Sequence, residues 1–277
     1  MPGDARAGTV PGMMLNMTVR RSGRQAAILS RRDGFTLVEV LVVVAIVAFI
    51  ISILLAGLGK SRRAAETAVC LARQSQLSQA IVSYALESQR RVPYGPISPP
   101  GSLTNFYPIT GCVTNLVSLT SGAPVGLGLM LNKQLSRTPQ AIFCPGADQP
   151  FDTAQQLANV GVAQAQSSYF YRHGSNFDFF APPTTKYTRI HNLGRNRNNV
   201  EIRALLMDSD LVVHPNYNLF GIYTRTHHRR ETGNVLYADG HCKTLRIDEG
   251  QAYVYLNSAP YGALGRILET LEWADTR

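Results

Sequence analysis

The chain has 277 residues, 45% hydrophobic and 16% charged, which is enough apolar material for one large or two small folded domains and excludes a wholly disordered chain. Its formal net charge is +9; six arginines and two aspartates in residues 1–34 carry +4 of it, leaving +5 over the other 243 residues, too dilute to mark a nucleic-acid-binding surface. The four cysteines (Cys70, Cys112, Cys144 and Cys242) share no CxxC spacing, which excludes the local zinc-finger and zinc-ribbon patterns.

Residues 1–34 read as a basic leader. They hold Arg20, Arg21, Arg24, Arg31 and Arg32, the helix breakers Pro2 and Pro11, and three further methionines, Met13, Met14 and Met17, that are alternative starts. An apolar run follows. From Val40 to Leu58 no residue is charged, 19 residues or roughly 29 Å of α-helix. A bilayer hydrocarbon core is about 30 Å thick, so residues 38–58 are predicted to span one. The run exceeds the apolar core of about 7–15 residues in a secretory signal. Leu54-Leu55-Ala56-Gly57 has no cysteine behind it, which argues against lipidation. A plain signal anchor is the simplest alternative. Glu39 stands just inside this run, where a charge costs up to about 2.5–3.5 kcal/mol at mid-helix and needs a partner. Basic residues flank both ends and do not decide the topology: Arg31 and Arg32 before, Lys60, Arg62 and Arg63 after.

Helical patterning continues past the span. Ala65, Val69, Ala72, Leu77, Ile81 and Tyr84 form an amphipathic stripe, and Pro93 is expected to close one long helix over residues 35–92. Gly57 and Gly59 are its weak point. Residues 93–111 are rich in proline and glycine and open a globular region, residues 93–277. Within it Gly126–Leu131 reads as a short helix or apolar turn, and Ala141–Pro145 as a short strand. Ser167–Arg172 and Ala204–Met207 also read as strands. Asn234–Ala238, Asp239-Gly240 and His241–Ile247 spell a hairpin, for which a two-residue type I′ turn is expected. Leu264, Ile267, Leu268 and Leu271 give the tail, Ala263–Trp273, a helical spacing.

Several polar groups are candidates for chemistry. His227, His228, Asp239 and His241 lie close in sequence, with Asp208, Asp210 and His214 upstream. Asp239 as an ordinary turn residue is the plainest reading. Convergence of Asp208, Asp210 and Asp239 would suit a structural Ca²⁺, which takes several oxygens. No helical pair of ligands and no nucleophile–base pattern is present, so a zinc hydrolase is disfavoured. Arg189, Arg195, Arg197 and Arg203, with His191 and Asn196, Asn198 and Asn199, form a basic stretch that could touch phosphates or be a solvated loop. Cys112 with Cys144 is the disulfide to test first; four free thiols fit the sequence equally.

The stretch Gly34-Phe35-Thr36-Leu37-Val38-Glu39, behind a basic leader and ahead of an uncharged apolar helix, resembles the processing signal of type IV prepilins and type II secretion pseudopilins. The globular part is similar to a prepilin-like subgroup carrying a histidine, nine residues and Asp-Gly; here ten residues separate His228 from Asp239-Gly240-His241. The resemblance implies an α+β, pilin-like fold, with the long helix packed on a small antiparallel sheet. It implies cleavage between Gly34 and Phe35 by a prepilin peptidase, N-methylation of Phe35 and assembly through Glu39. It further implies pilin-type partners, a single pass through the inner membrane with the C-terminal domain outside the cytoplasm, a structural role without enzymatic activity, and no cofactor. The rivals are a minor-pilin-type binding module for DNA or a surface ligand through residues 189–203, and a membrane-tethered metal-dependent hydrolase.

Overall fold

The computed structural model describes residues 34–96, 112–146, 149, 152–174, 188–216, 224–247, 254–256 and 260–277. The predicted leader and most of the turn-rich 93–111 stretch lie outside them. The chain divides into two units between Ser52 and Ile53. Within the described residues the first unit is residues 34–36 and the beginning of helix α1 (Leu37–Glu87), which is exposed throughout and apolar there apart from Glu39 and Ser52.

The second unit holds the rest of α1 and the α+β domain. Five antiparallel strands form one sheet: β1 (Val113–Ser118), β2 (Ala165–Arg172), β3 (Ala204–Asp208), β5 (Thr232–Tyr237) and β6 (Cys242–Arg246), in the order β1-β2-β3-β5-β6. Strand β4 (Leu211–Val213) leaves this order and pairs in parallel with β7 (Val254–Leu256). Short helix α2 (Thr153–Asn159) precedes β2, and α3 (Pro260–Asp275) ends the chain.

Both faces of the central sheet are covered, so β1, β2 and β3 are buried along their whole length. Phe170, Met207 and Val235 point to the layer containing Ile267, Leu268 and Leu271 of α3. Tyr169, Tyr171, Leu206 and Leu236 point to the layer containing Leu77 and Ile81 of α1. The alternation follows the two-residue period of strands. Gly128 sits in a 3₁₀ turn (Gly126–Met130) directly against β1, where a Cβ would collide with the Val117 carbonyl.

Three local expectations are corrected. Helix α1 ends at Glu87, before Pro93, because Gln89 and Arg90 adopt left-handed φ of 57° and 62° and the Arg90 N–H donates to the Ala85 carbonyl, a Schellman-like stop without glycine. The buried stripe of α1 begins with Cys70 and Gln74, whereas Val69 is 45% exposed; polar contacts, not apolar burial, fix the face there. Residues 141–145 form no strand: Pro139 starts a 3₁₀ turn through Ile142, and Phe143 and Cys144 follow as buried, unladdered backbone.

His173, next after β2, is 7% exposed, and burial pushes its imidazole down to about 3. Its folded value lies below the unfolded one of about 6.5, so the neutral ring suits the fold. Its contribution is fully present above about pH 6.5 and is lost as pH falls toward 3. His173→Phe should therefore flatten acid destabilisation in that window by up to about 1.4 kcal/mol per pH unit. Urea titrations at stepped pH check this; an unchanged slope would contradict it.

Candidate functional site

The first candidate site is the start of α1. Thr36 is the N-cap residue. Its N–H and its hydroxyl each donate to Glu39 Oε2 at 2.8 Å, and the Glu39 N–H donates back to Thr36 Oγ1 at 3.3 Å. This reciprocal pair is a capping box: the N3 carboxylate and the N-cap hydroxyl satisfy donors that the first helical turn leaves open. Glu39 thus has a partner within its own chain, one the Thr-Leu-Val-Glu spacing contained and sequence reasoning overlooked. Gly34 and Phe35 are exposed immediately before the cap. Behind it, side chains such as Leu41, Val44, Phe49, Ile53 and Leu58 are all more than half exposed. By length and composition α1 can cross a membrane.

The second candidate is a polar centre inside the domain, between α1 and the ends of β3 and β5. Asp208 ends β3 and is buried. Its Oδ1 accepts from Gln74 Nε2 at 3.3 Å and from the Cys70 thiol at 3.4 Å; its Oδ2 accepts from the Asn234 N–H at 2.8 Å and lies 3.4 Å from His228 Nε2. Asn234 Nδ2 stands 3.0 Å from the same His228 nitrogen, and Cys144 Sγ 3.8 Å from it. The Tyr169 hydroxyl lies 3.6 Å from Cys70 Sγ. Burial works against the Asp208 charge, yet His227, His228 and the Asn234 N–H hold its carboxyl below the usual range. Burial likewise opposes the His228 charge, but the Asp208 carboxylate and Cys70 outweigh it and raise that imidazole to about 10. The Cys70 thiol is pushed up by Cys144, burial and Asp208, so in this state it is a poor nucleophile.

The centre contains only part of what the sequence nominated. Asp210 is buried nearby, accepting from the His227 N–H at 2.6 Å. Asp239 is not there. Ala204, at the far end of β3, pairs with Tyr237, which places Asp239 beyond that end, about 13 Å of strand from Asp208. Asp208, Asp210 and Asp239 therefore do not converge on a calcium site. Asp239 and His241 form an exposed pair instead, with His241 Nδ1 2.6 Å from Asp239 Oδ1 and its ring stacked 4.3 Å from Tyr237. The hairpin itself is present, but its turn has three residues, Ala238-Asp239-Gly240, and only Gly240 has positive φ, +92°. The Gly240 N–H donates to Tyr237 O and the Tyr237 N–H to His241 O, a type I turn with a bulge in place of type I′. His228 and Asp239-Gly240 thus belong to different places. The Cys112–Cys144 disulfide is also corrected: the two are not bonded to each other, Cys112 sitting in the core layer under α3 and Cys144 in the layer under α1.

The basic stretch is largely structural. Arg197 grips Glu272 of α3 through Nε at 2.8 Å and Nη2 at 2.9 Å. Asn196 Nδ2 donates to Asp275, Arg195 to the Asn199 carbonyl, and the Arg203 guanidinium covers the Tyr237 ring. Arg197 and Arg203 thus hold the stretch against α3 and β5, while Arg195 bonds within the loop.

Among the described residues, Cys70, Cys144 and His228 are the group that could hold a metal ion, with one ligand atom each and all three atoms within 4.8 Å of one another. Sequence reasoning missed Cys70 because its partners lie far along the chain and no local spacing announces them.

No curated protein and no solved structure matches the chain. Residues 29–58 match the family model of the prokaryotic N-terminal methylation motif. The chain therefore carries an N-terminal methylation motif followed by a long apolar helix, an arrangement consistent with a membrane-anchored, single-pass protein of the prepilin or pseudopilin type.

Proposed function

We propose that this chain is a structural subunit of a type IV pilus-like or type II secretion-type filament. A prepilin peptidase cuts it between Gly34 and Phe35, and the new amine of Phe35 is methylated. Before assembly α1 spans the inner membrane once, with the α+β domain outside the cytoplasm. After assembly the apolar helices of many subunits bundle together. The role is one of interaction, without enzymatic activity.

The observation that carries this reading is the solvent-facing apolar helix whose capping box joins Thr36 to Glu39, five residues past Gly34. A helix apolar all round is stable only in lipid or against other apolar helices. Cleavage puts a positive amine on Phe35, next to the Thr36 N–H that already donates to Glu39. The carboxylate can then serve that amine, in its own chain or in a neighbour, and pairing lowers the cost of holding both charges in an apolar bundle. Glu39→Ala should leave cleavage intact but reduce chemical cross-linking of processed full-length chains in native membranes at least tenfold. Undiminished multimer ladders in that variant would contradict the assembly role of Glu39, and a wild type that cross-links only as monomer would contradict the filament.

A further inference from the structure

We infer that Cys70, Cys144 and His228 form a zinc site that pins helix α1 to two loops of the domain, with the Asp208 carboxylate placed to complete it. The site does not depend on the filament reading. Zinc holds sulfur at about 2.3 Å and nitrogen or oxygen at about 2.0–2.2 Å, so a tetrahedral site has sulfur–nitrogen and sulfur–oxygen edges of about 3.6 Å and nitrogen–oxygen edges of about 3.4 Å. Cys144 Sγ lies 3.8 Å from His228 Nε2, and Cys70 Sγ 3.4 Å from Asp208 Oδ1. His228 Nε2 lies 3.4 Å from Asp208 Oδ2. The Cys144–His228 distance is within about 0.2 Å of a tetrahedral edge, and the two Asp208 contacts, made by different oxygens, place the carboxylate beside the site, where one oxygen takes the fourth position after a small shift.

The surroundings fit the same assignment. Thr67 Oγ1 donates to the Arg63 carbonyl at 3.1 Å, which leaves it to accept from His228 Nδ1–H at 3.4 Å. That contact fixes the ring with Nε2 facing Cys144, Asp208 and Asn234 Nδ2, whose 3.0 Å contact the ion replaces, as an outer hydrogen bond does for a metal-bound histidine. The His228 backbone is itself unusual. His228, Arg229 and Arg230 adopt φ of 47°, 58° and 61° in succession, none of them glycine. Each left-handed residue is disfavoured, and such conformations concentrate at ligand clamps. Here the turn swings the imidazole onto the two sulfurs. A cleft of about 590 Å³, lined in part by Arg62, Thr67, His228 and Glu231, leads to the histidine and gives an ion a way in.

Two sulfurs and an imidazole are soft and borderline ligands, suited to zinc and not to calcium. Binding exchanges the waters of aquated Zn²⁺ for two thiolates, an imidazole and the Asp208 carboxylate; the two thiol protons and the Nε2 proton of the imidazolium pass to solvent, and no electron is transferred.

The test uses full-length protein in detergent, stripped with chelator under reducing conditions and titrated with Co²⁺ alone and then Zn²⁺ alone. One ion per chain is expected, with thiolate-to-Co²⁺ charge transfer and tetrahedral ligand-field bands that Zn²⁺ abolishes. Cys144→Ser and His228→Gln should lose these bands, Cys112→Ser should keep them, and Thr67→Ala should weaken Zn²⁺ binding about 10–100-fold. The proposal is overturned by reduced wild type that gives no thiolate–Co²⁺ band, or by a band that survives Cys144→Ser and His228→Gln. It is equally overturned if peptide mapping of protein from its native membrane finds Cys70 joined to Cys144 as a disulfide.

Discussion

Asp275→Ala is expected to lower the melting temperature of the domain by roughly 6–20 °C, from a loss of about 3–5 kcal/mol at about 2–4 °C per kcal/mol. Asp275 closes α3 and is buried. It takes both Arg172 Nη1 contacts, at 2.9 and 3.0 Å, the Asn196 amide at 3.0 Å, and the backbone N–H groups of Arg203 and Ala204 at 3.0 and 2.9 Å. Arg172 lies on β2 with its side chain 2% exposed. Removing the carboxylate leaves a buried guanidinium uncompensated and two N–H groups at the entry to β3 without their acceptor. A domain stable by about 5–15 kcal/mol feels such a loss strongly. Arg172→Met should cost less, because Asp275 then keeps three donors and no buried cation is stranded. Glu269→Ala, at an exposed pair with Arg266, is the control and should stay within about 0.5 kcal/mol. Thermal unfolding of the full chain in detergent decides; a shift below about 2 °C for Asp275→Ala would show that the cluster does not hold α3 to the sheet.

Gly34→Val is expected to abolish processing while leaving the fold untouched. A Cβ at Gly34 would meet nothing within 4 Å, and its φ is not in the left-handed region. The substitution therefore has no structural route to an effect. On the proposed function, what it changes is the fit of the Gly34–Phe35 peptide to a peptidase that cuts beside glycine. If the chain is a processed prepilin, the variant accumulates with its leader attached, at unchanged melting temperature. A plain signal anchor would keep residues 1–34 in both proteins, so that variant and wild type differ in mass only by the substituted side chain.

The sequence made some of this legible and hid the rest for identifiable reasons. Helix α1 was readable because an uncharged run and a helical stripe adjoin without a breaker, and the late hairpin because Asp-Gly lies between two strand-like runs. The alternation that should mark β1 is masked by Thr114, Asn115 and Ser118, all buried on a sheet covered on both faces. Strands β4 and β7 have three residues each, too short for any period to register. The polar centre was half visible. Asp208 and His228 stood out as titratable groups, but Cys70 and Gln74 look like ordinary positions on an amphipathic helix. Their burial comes from bonds to Asp208 and Asn234, more than 130 residues away. Asp239 misled because proximity in sequence to the histidines is not proximity across the sheet. At Glu39 the oversight was local: the Thr36 cap three residues before it was there to be read.

The most direct measurement is the intact mass and N-terminal residue of the wild-type protein taken from its native membrane. The account predicts a chain that begins at Phe35 with a methylated amine. A chain beginning at Met1, or one cut after Leu58, would contradict it.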